Sequence, residues 1–117
     1  MYYIYKYKNK KNGKHYIGQT NNPQKRYNGH KSESFNPKAS GYWLPFHCAI
    51  RKYGIENFSF EILEEIMDGE SQNFVNEREQ YFIQHYNSLK DNNGYNVTVG
   101  GDGCPKPPLS YEEKLER

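Results

Sequence analysis

The segment Tyr2-Tyr3-Ile4-Tyr5, followed further on by Tyr16-Ile17-Gly18, decides how this chain is read. Between them lies Asn9-Lys10-Lys11-Asn12-Gly13, rich in turn formers. Two short alternating segments around such a stretch predict a β-hairpin. With the turn centred on Lys10-Lys11, Tyr5 is expected opposite Tyr16 and Tyr3 opposite Gly18, all on one sheet face. That face would carry clustered phenol hydroxyls beside a glycine gap. A packed core needs no hydroxyls, and a strand glycine marks a place that something approaches closely. The plainer alternative is a hairpin rich in Tyr because Tyr is a good strand former.

With 117 residues, one domain around a single modest core is expected. Only 34% of the residues are hydrophobic and 12 are Tyr, so much of that core must be aromatic, with polar tips that need partners. The net charge of +2 announces no polyanion partner, but its distribution does. Lys6, Lys8, Lys10, Lys11, Lys14, Lys25, Arg26 and Lys31 fall in residues 6–31, which hold no Asp or Glu. A basic field interleaved with aromatics suits phosphate contact; a solvated basic hairpin is the alternative. Cys48 and Cys104 lack metal-type spacing, which fits a reduced, cytoplasmic protein. No apolar run approaches the ~20 residues that span a bilayer, and no signal peptide is visible, so no membrane partner is expected.

Beyond the hairpin, Asn21-Asn22-Pro23 predicts a helix start, with Asn as cap and Pro at the first helical position, running to about Ser32. Arg26 and His30 then share a face. Trp43, Phe46, Ile50 and Tyr53 recur at helical spacing, and Gly54 closes that helix. Phe58 to Leu63 alternates as a third strand, and a helix follows from about Glu70 to Tyr86. Asn92-Asn93-Gly94 reads as a turn and Tyr95 to Val99 as a short strand. Residues 101–117 read as a Gly/Pro-rich linker and the start of a helix opened by Ser110-Tyr111-Glu112-Glu113, which points to a longer parent protein.

Projected at the helical period, Val75, Phe82 and Tyr86 form a stripe with Ile83 at its edge. Glu79 falls inside that stripe and Glu77 opposite it. A carboxylate on a buried apolar face is costly unless it is paired or binds a cation. A salt bridge to Arg26 or a Lys is one reading, and a ligand to Mg²⁺ is the other. Arg26 offers a fork that matches phosphate. His30 offers a donor or base near neutral pH, and Tyr5 and Tyr16 offer hydroxyls that position a water. These are the parts of a phosphodiester hydrolase. His15, His47 and His85 show no such grouping and are read as structural or exposed.

In this order the motifs Tyr3-Ile4-Tyr5, Tyr16-Ile17-Gly18, Arg26 with His30, Glu79, and Gly94-Tyr95-Asn96 resemble the GIY-YIG nuclease family. Within it the chain is most similar to catalytic domains of phage and intron-encoded homing endonucleases. Ile50 to Gly54, Phe58 to Glu65 and Glu77 to Gln80 agree, so the resemblance covers about residues 2–100. It departs from the pattern at Tyr3, where the family has Gly, and near Ser40-Gly41, where some relatives carry a further histidine.

The resemblance implies an α+β fold, a small three-stranded antiparallel sheet flanked by helices, as a catalytic domain over residues 1–100. It implies a metal-dependent endonuclease acting on double-stranded DNA with a single Mg²⁺ or Mn²⁺ and no small-molecule cofactor, a monomer being favoured. By position, Tyr5 matches the first-motif tyrosine, a proposed general base, and Tyr16 the tyrosine that positions water or phosphate. Arg26 matches the phosphate-stabilising arginine, His30 the histidine of the homing branch, Glu79 the metal ligand, and Asn96 an asparagine that supports the site. A silent nucleic-acid-binding module and a structure-specific repair nuclease are the alternative functions.

Overall fold

The first two strands, β1 (Tyr2–Asn9) and β2 (His15–Thr20), form the expected hairpin in the computed structural model, which describes residues 1–89 and 94–97. Its register differs from the expectation by two residues. Tyr5 lies opposite Gly18, Tyr7 opposite Tyr16, and Tyr3 opposite Thr20. The turn chemistry explains the slip. The Asn9 side chain accepts from the Lys11 amide at 2.8 Å and the Asn12 side chain from the Lys14 amide at 2.9 Å, two Asx turns in succession. Gly13 then closes the loop at φ +77°, a left-handed conformation that suits glycine. The centre of the turn thus moves from Lys10-Lys11 to Lys11-Asn12. Because strand side chains alternate with period two, a two-residue slip keeps the tyrosines on one face.

The third strand, β3 (Phe58–Ile66), pairs with β1, giving the antiparallel order β2-β1-β3. A bulge passes Leu63 between the pairs Tyr5–Ile62 and Ile4–Glu64. It turns Leu63 toward the Ile4 side while Phe58 and Ile62 stay with the tyrosines.

Helix α1 (Pro23–Ser34) begins where predicted, with the Asn22 side chain accepting from the Lys25 amide at 3.1 Å. Helix α2 (Pro45–Tyr53) begins after Trp43, not at it. Pro45 is its first residue, and a residue before proline is pushed to extended backbone; Leu44 sits at ψ 142°. Trp43 therefore stands outside the helix and is exposed. A 3-10 turn, Ile55–Asn57, leads into β3, and α3 (Gln72–His85) follows, capped by Ser71. Of the expected strand Tyr95 to Val99, an isolated bridge between Leu89 and Asn96 is present; residues 98–99 lie outside the described residues, as do residues 92–93 of the expected turn, Cys104 and the expected linker.

The sheet divides the expected single core into two. One face carries Tyr5, Tyr7, Phe46, Ala49, Ile50 and Phe58 under α2. The other carries Ile4, Ile17 and Ile66 against Val75 and Ile83 of α3. Tyr5 and Tyr7 are each only 2% exposed.

Gly18 is the gap into which the Tyr5 ring settles: a Cβ there would run into the ring and its hydroxyl. Gly18→Ala should therefore destabilise the fold by about 1–3 kcal/mol, as overpacking does. Urea denaturation monitored by tyrosine fluorescence measures this, and an unchanged midpoint would mean that the ring has other room to occupy.

Candidate active site

The site grows from the aromatic face of the hairpin. Tyr16 lies parallel to Phe46, with ring centroids 4.3 Å apart. Tyr5 lies edge-on to Tyr7 at 5.6 Å. These contacts hold both phenols where α1 crosses the sheet. From α1, His30 is fully buried, and its Nε2 lies 2.7 Å from the Tyr5 hydroxyl. Arg26, one turn earlier, donates from Nη1 to Glu33 Oε2 at 3.0 Å. Arg26 and His30 share a helix face, as their spacing predicts, and both neighbour Tyr5.

Burial dominates the acid–base chemistry here. It pushes the Tyr5 phenol well above its ordinary value, with the Tyr16 phenol adding to it and Arg26 opposing. Tyr16 is pushed up to about 12 by burial, and there Arg26 lowers while Glu79 raises. His30 is pushed down to about 2, by burial first and then by the charge of Arg26 and by His47. Near neutral pH both phenols therefore keep their protons and His30 is a neutral imidazole.

Glu79 reaches the site from α3, on the opposite face, where it is 8% exposed between Val75 and Ile83. Ile83 is thus fully buried and central to the stripe rather than at its edge. Glu77 points to solvent as projected. Among the described residues no salt bridge accounts for the buried carboxylate, and the neighbouring cations pair elsewhere: Lys6 with Glu61 at 3.3 Å, Arg78 with Glu64 at 2.8 Å, and Arg26 with Glu33. The partner of Glu79 is an amide. Gln19 Nε2, on edge strand β2, donates to Glu79 Oε1 at 2.6 Å and to Asn76 Oδ1 at 2.9 Å. Burial raises the Glu79 carboxyl, and the Gln19 bond only partly offsets this.

No cluster of three or more His, Cys, Asp or Glu side chains forms among the described residues. A metal here would take one carboxylate and amide or water oxygens. This donor set fits Mg²⁺, which keeps several waters and takes few protein ligands.

Asn96 lies along the outer edge of β2. Its Oδ1 accepts from the Ile17 amide at 2.9 Å and its Nδ2 donates to the Ile17 carbonyl at 2.8 Å. Ser88 Oγ also donates to that Oδ1, at 2.7 Å. One side-chain amide thus pairs with the free edge of β2 as a strand would, beside Tyr16. The structure brings Tyr5, Tyr16, Arg26 and His30 together on one face, with Glu79 beside β2 and Asn96 behind it.

Two participants escaped the sequence reading. Tyr7 packs opposite Tyr16 because of the register. His47, read as structural or exposed, is buried, and its Nε2 lies 2.9 Å from His30 Nδ1. The signal for His47 was its place one residue after Phe46 on the amphipathic α2, but the contact spans two helices and no spacing rule joins them. The basic field also thins: Lys6 is tied to Glu61, while Lys8, Lys10, Lys11, Lys25 and Lys31 stay exposed. No described helix is long and apolar enough to cross a membrane.

The GIY-YIG catalytic domain family model matches residues 1–96. The chain is 37% identical over 103 residues to segB, a candidate endonuclease of Enterobacteria phage T4; the match covers 88% of this chain and 40% of that protein's length. The fold is similar to that of the catalytic domain of the intron endonuclease I-TevI in a point-mutant form, with a TM-score of 0.70, 31% identity, and 86% of this chain and 97% of the other covered. A second structure of the homing endonuclease I-TevI catalytic domain gives 0.68, at 30% identity, with 84% and 99% covered. The three-stranded antiparallel sheet, the motif tyrosines on one of its faces and the family model over residues 1–96 agree, and the chain belongs to the GIY-YIG catalytic domain family.

Proposed function

We propose that this chain is the catalytic head of a divalent-metal-dependent DNA endonuclease of the homing type. One observation carries the metal dependence: Glu79 is buried, bears a carboxylate, and is met by an amide instead of a cation. A protein keeps such a group at a cost, and binding a cation repays it. The DNA substrate rests on family membership and on the exposed Lys8, Lys10, Lys11, Lys25 and Lys31.

Glu79 would hold the ion, helped by the Gln19–Asn76 amide pair, and the ion would stabilise negative charge developing on the phosphate. Arg26, oriented by Glu33, binds a nonbridging phosphate oxygen, and its bond strengthens as charge develops. Tyr16, held flat on Phe46, orients the water or the phosphate through its hydroxyl. Tyr5, kept neutral by burial, cannot act as a standing phenolate. It instead takes a proton from water as its own proton passes to His30 Nε2. Burial first, and then the charges of Arg26 and His47, hold His30 down; a bound phosphate would offset only the Arg26 part.

Glu79→Gln should abolish Mg²⁺-dependent nicking of supercoiled plasmid while the chain stays folded; full activity in the variant would remove Glu79 as the ligand. Glu77→Gln, on the solvent side, should nick normally. The same substitution has a pH signature without metal. A carboxyl raised in the folded state binds its proton more tightly there than in the unfolded chain, so its contribution to stability is lost as pH rises through the folded value. Glu79→Gln should therefore melt higher than wild type at neutral pH. The gap should close as pH falls below the ordinary carboxylate range, and a gap independent of pH would contradict this origin.

Arg26→Ala should lower the cleavage rate constant by about 10²-fold or more while weakening DNA binding far less. Equal losses in both would make Arg26 one of several binding cations. The chain by itself should bind duplex DNA weakly, with a dissociation constant of about 10⁻⁴–10⁻⁶ M at physiological salt, steeply salt-dependent and nearly blind to sequence. Titrations against random and specific duplexes at two salt concentrations test this, and nanomolar binding to one sequence would place a base-reading element within these residues.

A further inference from the structure

We propose that His47 is a positioning residue that fixes His30 in the tautomer presenting a bare Nε2 to the Tyr5 hydroxyl. The deduction starts at a fixed point, the Gly41 carbonyl, which can only accept. Arg51 holds its loop: Nη1 donates to the Ser34 and Tyr42 carbonyls, each at 2.7 Å, and the guanidinium lies 3.7 Å from the Tyr42 ring centroid. His47 Nδ1 lies 2.7 Å from the Gly41 oxygen, so Nδ1 carries a hydrogen. His47 is 1% exposed, and burial favours the neutral ring, with Arg26 and Arg51 acting in the same sense and Glu33 and the Gly41 bond opposing. A neutral imidazole has one N–H, which leaves His47 Nε2 as an acceptor.

At 2.9 Å from that acceptor, His30 Nδ1 must be the donor. His30 Nε2 is then bare and accepts from the Tyr5 hydroxyl at 2.7 Å. The chain of bonds therefore runs one way, from Tyr5 to His30 to His47 to the Gly41 carbonyl. Without His47, a hydrogen on His30 Nε2 would be equally acceptable, and the Tyr5 proton would find no acceptor there. His47 bonds to His30 and the Gly41 carbonyl, while the Tyr5 hydroxyl bonds to His30. Its effect passes through His30, as the orienting carboxylate of a catalytic triad acts through its histidine.

Gln and Leu at this position separate the role from packing. A Gln side chain can accept from His30 Nδ1 with Oε1 and donate to Gly41 with Nε2, reproducing both bonds without a titrating ring. Leu fills the space and makes neither bond. The proposal rests on the nuclease reading above for its rate effects, but the tautomer is read independently of activity. Long-range ¹⁵N–¹H correlation spectra of the wild-type chain should show His30 with its hydrogen on Nδ1. His47→Gln should keep that pattern and cleave at close to the wild-type rate. His47→Leu should lose the single tautomer and lower kcat by about 10²-fold, with little change in KM.

A hydrogen on His30 Nε2 in the wild type would overturn the proposal. Unimpaired His47→Leu would do the same. Loss of activity in His47→Gln with the tautomer intact would assign His47 a proton-accepting role and refute mere positioning. A wild-type chain that fails to cleave at all would sink the nuclease reading, while the spectra would still decide the tautomer.

Discussion

The ring of Tyr5 resting on Gly18 is the contact on which the site depends. It requires one hairpin register, because only with Gly18 opposite can a phenol lie down across β2 without meeting a side chain. That register sends the Tyr5 hydroxyl to His30 and stands Tyr7 opposite Tyr16. The helices then close on a face made of rings. Tyr7 meets Phe46 at 5.2 Å, Phe46 stacks on Tyr16 and meets Phe58 at 5.6 Å, so α2 is keyed to the same ring layer that holds Tyr16. Core and site are one layer here. The phenols supply apolar bulk to the interior and polar tips to α1.

This fusion explains the chain's composition. With 34% hydrophobic residues and 12 tyrosines, much of the packing must come from rings that carry a hydroxyl. A buried hydroxyl needs a partner. Asn9 and Asn12 donate to the Tyr95 hydroxyl at 3.0 and 3.2 Å, tying the turn to the late segment, and His30 accepts that of Tyr5. The other face of the sheet is aliphatic, and the carboxylate of Glu79 stands out there for that reason. Asn96 completes the arrangement by giving the edge of β2 a partner, so that the strand bearing Tyr16 is held on both sides.

Much of this was legible in the sequence because local chemistry agrees with the fold. Asn22-Pro23 and Gly54 mark helix ends through backbone preferences that tertiary contacts do not override. The stripe position of Glu79 follows from helical periodicity alone. The hairpin register was not legible, since it turns on both Asn9 and Asn12 folding their side chains back onto the backbone, which strand alternation does not encode. The start of α2 required weighing Pro45 above the periodicity of Trp43. His47 was out of reach for a stronger reason: its partner lies on another helix, and a tautomer chain ending on a loop carbonyl leaves no pattern in the sequence.

On the proposed reading, a divalent cation enters at Glu79, the one carboxylate buried among the described residues, beside edge strand β2. Titrating the ¹⁵N-labelled chain with Mn²⁺ and recording amide line broadening tests it most directly. Broadening should appear first at Gln19, Asn76 and Glu79, and should spare the exposed carboxylates of β3 at Glu61 and Glu65. Broadening centred on β3, with Gln19 and Glu79 unaffected, would place the cation elsewhere and contradict this assignment.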